Sequence, residues 1–379
     1  MMQDETPTAP KPRLAALDTF RGLAVAGMIV VNTPGSGDHV WWPLDHAAWH
    51  GFTPTDLVFP AFLCAMGVAL GLSFPRRVDG ALWIKILRRT LALIAIGWAW
   101  QMLARPGIET FRVYGVLPRI GLCYALAATL AILTSWRGED GRARLNGWAI
   151  LGAAAGVLIA YGLLLRFIPV PGYPLGDLSP GGNVAGYVDR MLVGTGHMWR
   201  FGTDAAGHVV YDPEGLLSTI PSLANVFFGM LAAIAWQRSP KRAPGWIVIG
   251  GAVLITLALA RMGEMPVNKR IWTPTFAELT SGLSALLFVL CILVLRRPLL
   301  ARLLRPLDIF GMNAILGYIL SLLIGLAGMR LGFQAIAFEA IRSIVIDPYL
   351  ASFLYSLAIT GIVFAALVPL HRRGVHLRL

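Results

Sequence analysis

Charge is scarce in this chain, and unevenly split. Only 14% of the 379 residues are charged, and 20 carboxylates face 32 lysines and arginines. With 56% of its residues hydrophobic, a chain of this length cannot cover a core with polar surface in water. Cysteine is nearly missing too. Cys64, Cys123 and Cys291 form no CxxC pair and no metal-ligand spacing, and each lies in an apolar run, so free buried thiols are expected. Also absent are a Walker A loop, a GxGxxG after a strand and a GxSxG elbow. Nucleotide hydrolysis, dinucleotide redox chemistry and serine-hydrolase chemistry therefore have no support.

What the chain has instead is long apolar runs, each close to the roughly 20 residues a bilayer requires. They predict spans near 17–33, 55–74, 82–103, 115–135, 147–168, 216–236, 245–262, 275–295, 308–329 and 348–370. The expected fold class is all-α, a polytopic transmembrane helical bundle of about ten spans. Basic residues resist translocation, so their bias among the connections sets orientation. On one side fall Lys11, Arg13 and Arg21; Arg76, Arg77, Lys85, Arg88 and Arg89; Arg137, Arg142 and Arg144; and Arg238, Lys241 and Arg242. The same side takes Arg296, Arg297, Arg302 and Arg305, then Arg372, Arg373 and Arg378. That makes 21 of the 32 basic residues, and it places both termini in the cytoplasm. The excess of +12 is thus a membrane-topology signal, with membrane lipid as partner and no nucleic acid implied. The apolar run Leu23–Val31 resembles a signal peptide, but Asp18 and Arg21 open it and no small-residue cleavage site follows, so a retained first helix is expected.

Residues 1–13 are polar, with Pro7, Pro10 and Pro12, and are expected to form a disordered cytoplasmic leader. Residues 14–379 read as one membrane domain with two longer outer loops. The first, 34–54, carries Trp41, Trp42, His46, Trp49 and His50 but no Lys or Arg. The second, 169–215, is rich in Gly, Pro and Asp and is long enough to fold over the outer mouth of the bundle. No inverted repeat of the transporter kind is visible. Oligomeric state is not encoded in any visible seam. The GxxxG at Gly152 and Gly156 is a weak packing hint, and a homodimer stays open.

The densest polar stretch holds Asn32, Asp38, His39, Asp45, His46, His50 and Asp56. A short helix through 45–50 would put His46 and His50 on one face beside Trp49. Imidazole is the usual general base near neutral pH, and a carboxylate such as Asp56 could fix its tautomer. Headgroup anchoring by Trp and His explains the same residues about equally well. A metal site built from His39, His46, His50, Asp38 and Asp45 has no recognised spacing, and no metal is expected. Asp18 and Arg21, on one face of the first span, suit a structural clamp better than a polar path. Arg119, Asn225, Asn268, Lys269 and Asn313 are costly in hydrocarbon and point to a shared interior. For Asn225 and Asn313, interhelical hydrogen bonding is as good a reading as a site role. Arg119 and Lys269 suit a phosphate or carboxylate ligand.

LDTFRGLAVAGMIVVN and DHAAWHGFTPTDLVFPAFLCAMG, followed by GVLPRIGLCY, NVAGYVDRMLVGTGHMW, YDPEGLLSTIPSLANVFFG, PVNKRIWT and FGMNAILGY, resemble the heparan-α-glucosaminide N-acetyltransferase family of transmembrane acyltransferases. The resemblance runs from residue 14 to about 320, motif after motif in the family's order. It implies a single transmembrane acyltransferase domain over 14–379 that moves an acetyl group from cytosolic acetyl-CoA to the amino group of a terminal glucosamine across the membrane. It maps the proposed active-site histidine onto His46, with Asn32 and Asp56 beside it, and implies acetyl-CoA as co-substrate. A compact bacterial-type member is expected, in the cytoplasmic (inner) membrane, without the lumenal domain and extra span of lysosomal members.

In that picture Arg21, Arg88 and Arg89 would hold the nucleotide end of CoA at the inner rim, with Arg119, Lys269 and Asn268 as further cofactor-binding candidates. Trp41, Trp42, Trp49 and His50 would meet an amino-sugar or glycan acceptor. Either His46 deprotonates the amine for direct attack, or it is acetylated first. A transporter of amino sugars or cell-wall fragments fits the composition equally, and an O-acyltransferase on a glycan shares the chemistry.

Overall fold

In the computed structural model the described residues are 14–75 and 77–375. The expected leader 1–13, with Lys11 and Arg13, and the rim residues Arg76 and Arg378 lie outside them. The ten apolar runs become ten long helical segments whose ends agree with the expectation to within a few residues. They are α1 (Ala15–Asn32), α2 (Val58–Leu72, entered through a 3-10 turn at Pro54–Leu57), α3 (Gly80–Ala104), α4 (Val116–Leu133) and α5 (Gly147–Phe167). After the short α6 (Val184–Val193) come α7 (Leu216–Arg238), α8 (Ala243–Arg261) and α9 (Pro274–Val294). The short α10 (Pro298–Leu303) leads to α11 (Arg305–Met312) and α12 (Ala314–Arg330), and α13 (Phe333–Arg342) precedes α14 (Pro348–Arg372). A two-residue hairpin, β1 (Trp136–Arg137) with β2 (Ala143–Arg144), links α4 to α5.

Eight of these helices are long and apolar enough to cross a membrane, namely α1, α2 with its entry turn, α4, α5, α7, α8, α9 and α14. The pair α11 and α12, which meet at 88° around Asn313, makes a ninth if it counts as one broken span rather than a re-entrant loop. The break has a local cause. Asn313 leaves the helical region (φ −117°, ψ 33°), and its Nδ2 donates to Ile309 O at 3.0 Å alongside its own backbone N–H at 3.2 Å. The expected third span, α3, has 25 residues, but Lys85, Arg88, Arg89 and Gln101 dilute its apolar character. By length and composition the count is therefore eight, or nine with the bent pair, against an expectation of about ten. α3 still runs antiparallel to α4, with Gly97 against Pro118 and Gly121 against Thr90.

Hydrocarbon supplies no hydrophobic drive between helices, so small residues that let backbones touch carry the packing. The α2–α7 pair shows this directly: a Cβ on Gly67 would stand 2.0 Å from Val226 O, and one on Gly229 would stand 2.1 Å from Cys64 O. The α1–α11 pair repeats it through Gly22 and Gly311, whose Cβ positions would collide with Leu307 O and Asp18 O. Asp18 and Arg21 pair at 2.8 Å, and Arg21 Nε also donates to Gly311 O, so this pair clamps α1 to α11. Asn225 is likewise an interhelical tie. Its Nδ2 reaches Thr280 Oγ1 at 3.1 Å and Ser281 Oγ at 2.8 Å on α9. Cys64, Cys123 and Cys291 are free and buried, as expected. Gly152 and Gly156 meet no neighbour within 4 Å, so the α5 GxxxG packs against nothing among the described residues.

Gly229→Val should drive a side chain into the α2 backbone and lower stability by about 1–3 kcal/mol or abolish folding. Gly245→Ala, at a position open to space, should be tolerated. Thermal unfolding of detergent-solubilised protein checks both, and an unchanged Tm for Gly229→Val would refute the contact.

Candidate active site

The connection from α1 to α2 is not helical at 45–50, where the backbone is extended and bent. His46 and His50 therefore do not share a helix face. Each is held by a different partner, and the partners are adjacent in sequence. Asp56, wholly buried, sits at the third position of the turn entering α2, where it forms a reciprocal capping box with Thr53. Asp56 Oδ2 accepts from Thr53 N at 3.0 Å, Thr53 Oγ1 at 3.1 Å and Ala47 N at 3.2 Å. Its Oδ1 lies 2.7 Å from His46 Nδ1. The carboxylate thus fixes the ring proton on Nδ1 and leaves the Nε2 lone pair as the basic site. The His46 side chain is 29% exposed.

Lys269 comes from the α8–α9 connection. Its Nζ lies 2.9 Å from His46 Nδ1, 3.0 Å from His46 Nε2 and 3.6 Å from Asp56 Oδ1. Near-equal distances to both ring nitrogens put the amine over the ring face, out of line with the Nε2 lone pair. Burial pushes His46 below the ordinary imidazole value; the Asp56 hydrogen bond opposes the shift, while Lys269 and then Arg270 reinforce it. Burial likewise pushes Lys269 down to about 8, against the pull of Asp56 and Glu214. Asn268 donates from Nδ2 to His50 Nδ1 at 3.2 Å, and its Oδ1 accepts from Ile271 N. The turn carrying these residues is tight enough to force Trp272 to φ 52°, a left-handed backbone that is rare for a bulky residue. Burial of Trp272 and its Nε1–Asn225 Oδ1 hydrogen bond at 3.1 Å hold it there.

A second polar cluster adjoins the first. Arg112 grips Asp212 with two hydrogen bonds, Nε to Oδ2 at 2.9 Å and Nη2 to Oδ1 at 2.6 Å, and also bonds Glu214. Burial alone would raise Glu214, but Arg112 and then Arg119 hold it below its usual range. Arg119, buried on α4, donates to Gly215 O and Ser218 Oγ and lies 5.0 Å above the Trp272 ring. Asp189 accepts from Leu216 N at 2.9 Å, capping α7, and burial pushes it up to about 7. The segment 169–215 touches the histidine loop: Trp49 Nε1 donates to Leu178 O at 2.8 Å, and its ring meets Tyr211 at 4.8 Å.

The remaining expected residues scatter. Asn32 ends α1, exposed, and makes no hydrogen bond to His46 or Asp56. Trp41 packs on Phe353 of α14, and Trp42 is largely exposed. Arg89 stacks on Tyr124 at 4.3 Å, Arg88 is exposed on α3, and Arg21 belongs to the α1–α11 clamp. Lys269 and Asn268, expected on the donor, instead flank the two histidines. His39 bonds Ser36 Oγ and stacks near Phe338, apart from His46. Among the described residues no group of three or more His, Cys, Asp or Glu is placed to hold a metal ion.

Residues 13–163 match the family described as heparan-alpha-glucosaminide N-acetyltransferase, catalytic. The human protein named heparan-alpha-glucosaminide N-acetyltransferase is 32% identical over 337 residues, covering 76% of this chain and 49% of its own length. The mouse protein of the same name is 30% identical over 341 residues, covering 77% and 50%. The chain belongs to the heparan-α-glucosaminide N-acetyltransferase family. It spans about half the length of the curated relatives it matches. The catalytic-region match includes His46, Asp56, Arg112 and Arg119, while Asp212, Glu214 and Lys269 are supplied from beyond it.

Sequence reasoning missed the Arg112–Asp212–Glu214 cluster in this family member, although RVYGVLPRIG and YDPEG both stand in view. The available signal was charge in the short connection just before α4, matched by acids just before α7. Arg112→Leu would leave two buried carboxylates unpaired and should cost about 3–5 kcal/mol. Denaturation of the purified protein reads this. A loss below ~1 kcal/mol would show that Asp212 and Glu214 find other partners.

Proposed function

We propose that the protein is a membrane-embedded acyltransferase that moves an acetyl group from acetyl-CoA to the amine of a glucosamine-like sugar. The observation that carries this is the His46–Asp56 pair with Nδ1 tied to the carboxylate and the Lys269 amine 3.0 Å from Nε2. The acceptor nitrogen attacks the thioester carbonyl, and His46 Nε2 takes its proton. The tetrahedral oxyanion collapses with cleavage of the C–S bond, and the proton passes from His46 to the departing CoA sulfur. Lys269 supplies positive charge where the oxyanion and thiolate develop. Arg88 and Arg89 on α3 are the cations for the phosphates of CoA, since Arg21 is engaged with Asp18 and Gly311.

The lysine and arginine bias supports an orientation with both ends of the chain cytoplasmic, in a bacterial inner membrane, and His46 on the outer face. Donor and acceptor then approach from opposite sides. Trp49 and His50 line the acceptor approach; among the described residues Asn32, Trp41 and Trp42 make no hydrogen bond to His46 or Asp56.

Purified protein given acetyl-CoA and glucosamine should release CoA and form N-acetylglucosamine, and His46→Ala should lower kcat by at least about 100-fold while still unfolding cooperatively, with a Tm lowered only by the lost Asp56 hydrogen bond. Full turnover by that variant would remove His46 from the chemistry. The pH profile of kcat/KM should show an acid limb below pH 6.5, because burial and the neighbouring cations disfavour imidazolium, and an alkaline limb near 8 as Lys269 loses its proton. Lys269→Met removes a cation that holds the imidazolium down, so the acid limb should move to higher pH while the alkaline limb disappears. An acid limb that stays in place would separate Lys269 from His46.

A further inference from the structure

The corner between α7 and α8 holds an apolar groove that the proposed transfer does not use. Gln237, near the end of α7, donates to Gly71 O near the end of α2 at 3.1 Å, so this end of the bundle lies opposite the α2 start that holds His46. The groove has a volume of about 260 Å³ and runs between the second half of α7 and the first half of α8. Ala232 and Ala235 of α7 and Trp246 and Gly250 of α8 line it, and the rings of Phe20 and Phe288 lie at its buried end. Besides the Trp246 indole, the polar side-chain groups on its lining are the Cys64 thiol and the Ser281 and Ser284 hydroxyls, and none is charged. Small residues keep it open. α8 leans on α9, where a Cβ on Gly282 would stand 2.6 Å from Gly251 O, whereas a Cβ on Gly250 would meet nothing within 4 Å. Apolar cavities of about 150 Å³ already stay dry and take up hydrocarbon. Inside a bilayer the hydrocarbon at hand is an acyl chain.

Cations stand where this groove reaches the helix ends. Phe228, Leu231, Ala232 and Ala235 line it at helical spacing, and Arg238 is the next position on that face of α7. Arg242 precedes α8 by one residue and stands one turn before Trp246, which is 63% exposed. Lys241 lies between the two arginines, and Arg296 and Arg297 follow α9 at the same end of the bundle. All five are exposed, and among the described residues none is within ion-pair distance of a carboxylate. α8 also starts without a side-chain cap, which leaves its first amides to add positive potential. Topology alone accounts for basic residues at this end. It does not account for an apolar groove that opens beneath them.

We propose that this corner binds one anionic phospholipid, its phosphate on Arg238, Arg242 and the N-terminus of α8 and one acyl chain along the groove. Charge at the helix ends and hydrocarbon space below them follow the order of headgroup and tail. Trp246 stands between the two, where an indole suits a membrane interface. The pantetheine arm of CoA is a poorer occupant, because its amides would find few partners on so apolar a lining. The bound chain joins α7 to α8 where the side chains leave them apart.

Delipidated native protein in a neutral detergent is offered phosphatidylglycerol and phosphatidylcholine with identical chains, and retained lipid is counted by native mass spectrometry. One phosphatidylglycerol should be held at least about tenfold more tightly than phosphatidylcholine. Arg238→Gln combined with Arg242→Gln should bring the two lipids within about threefold of each other, and Gly250→Phe, which fills the groove, should lower retention of both. Equal retention of the two lipids by native protein would overturn the site, as would unchanged retention by Gly250→Phe. A phosphatidylglycerol with a photoreactive group in mid-chain reads the site without any substitution. Its label should fall on α7 and α8 between residues 228 and 254. Label spread evenly over the spans, or lost on adding excess CoA, would overturn the proposal.

Discussion

A carboxylate with no solvent exposure must be satisfied on every side or give up its charge, and Asp56 meets that condition at the point where α2 begins. Two backbone amides, one hydroxyl and one imidazole occupy its two oxygens, with the Lys269 ammonium just beyond. Because it caps the entry turn to α2 and orients His46, the start of a membrane helix and the tautomer of the imidazole are set by the same atoms. Ala47 N on the second oxygen draws the backbone after His46 toward the helix, so the ring has little freedom to leave. Rigidity of this kind suits a base whose lone pair must face a bound substrate. In the proposed transfer, a residue counted here as part of a span thereby takes on a site role.

Helix positions were largely legible in the amino-acid sequence, because a bilayer imposes a length and a composition that few soluble helices meet. The exceptions have physical causes. The break at Asn313 follows from a backbone angle, with no Pro or Gly at the point of the break and an apolar run that continues across it. α3 keeps its length while carrying Lys85, Arg88 and Arg89, so apolarity alone undercounts it. Within the site, His46 and Asp56 were readable from one motif and from family resemblance, and the structure joins them directly. Pairing His46 with His50 through a helix failed because Pro54 and the Thr53 cap delay helix formation until after the loop. Lys269 was visible as a costly cation but could not be placed, since 223 residues separate it from His46. The grip of Arg112 on Asp212 has the same character: 100 residues apart, it follows from the docking of whole helices and leaves no local pattern.

Glycine contacts decide that docking, and they reach as far as the electrostatics of the site. Gly67 and Gly229 bring α2 and α7 into backbone contact, and both helices begin at the His46 end, as α9 does. Three helix N-termini therefore direct partial positive charge toward one region. Two of the carboxylates there are used on these termini, Asp56 on the turn into α2 and Asp189 on α7. Asp212 and Glu214 are held by Arg112. With the acids so committed, Lys269 and Arg270 face the ligand side without full compensation, and burial draws Lys269 down toward neutrality. A region of that sign favours a developing oxyanion and thiolate over the neutral thioester. Close helix packing, acids spent as caps and surplus cations at the mouth are then parts of one arrangement, which would supply the charge that the proposed transfer requires.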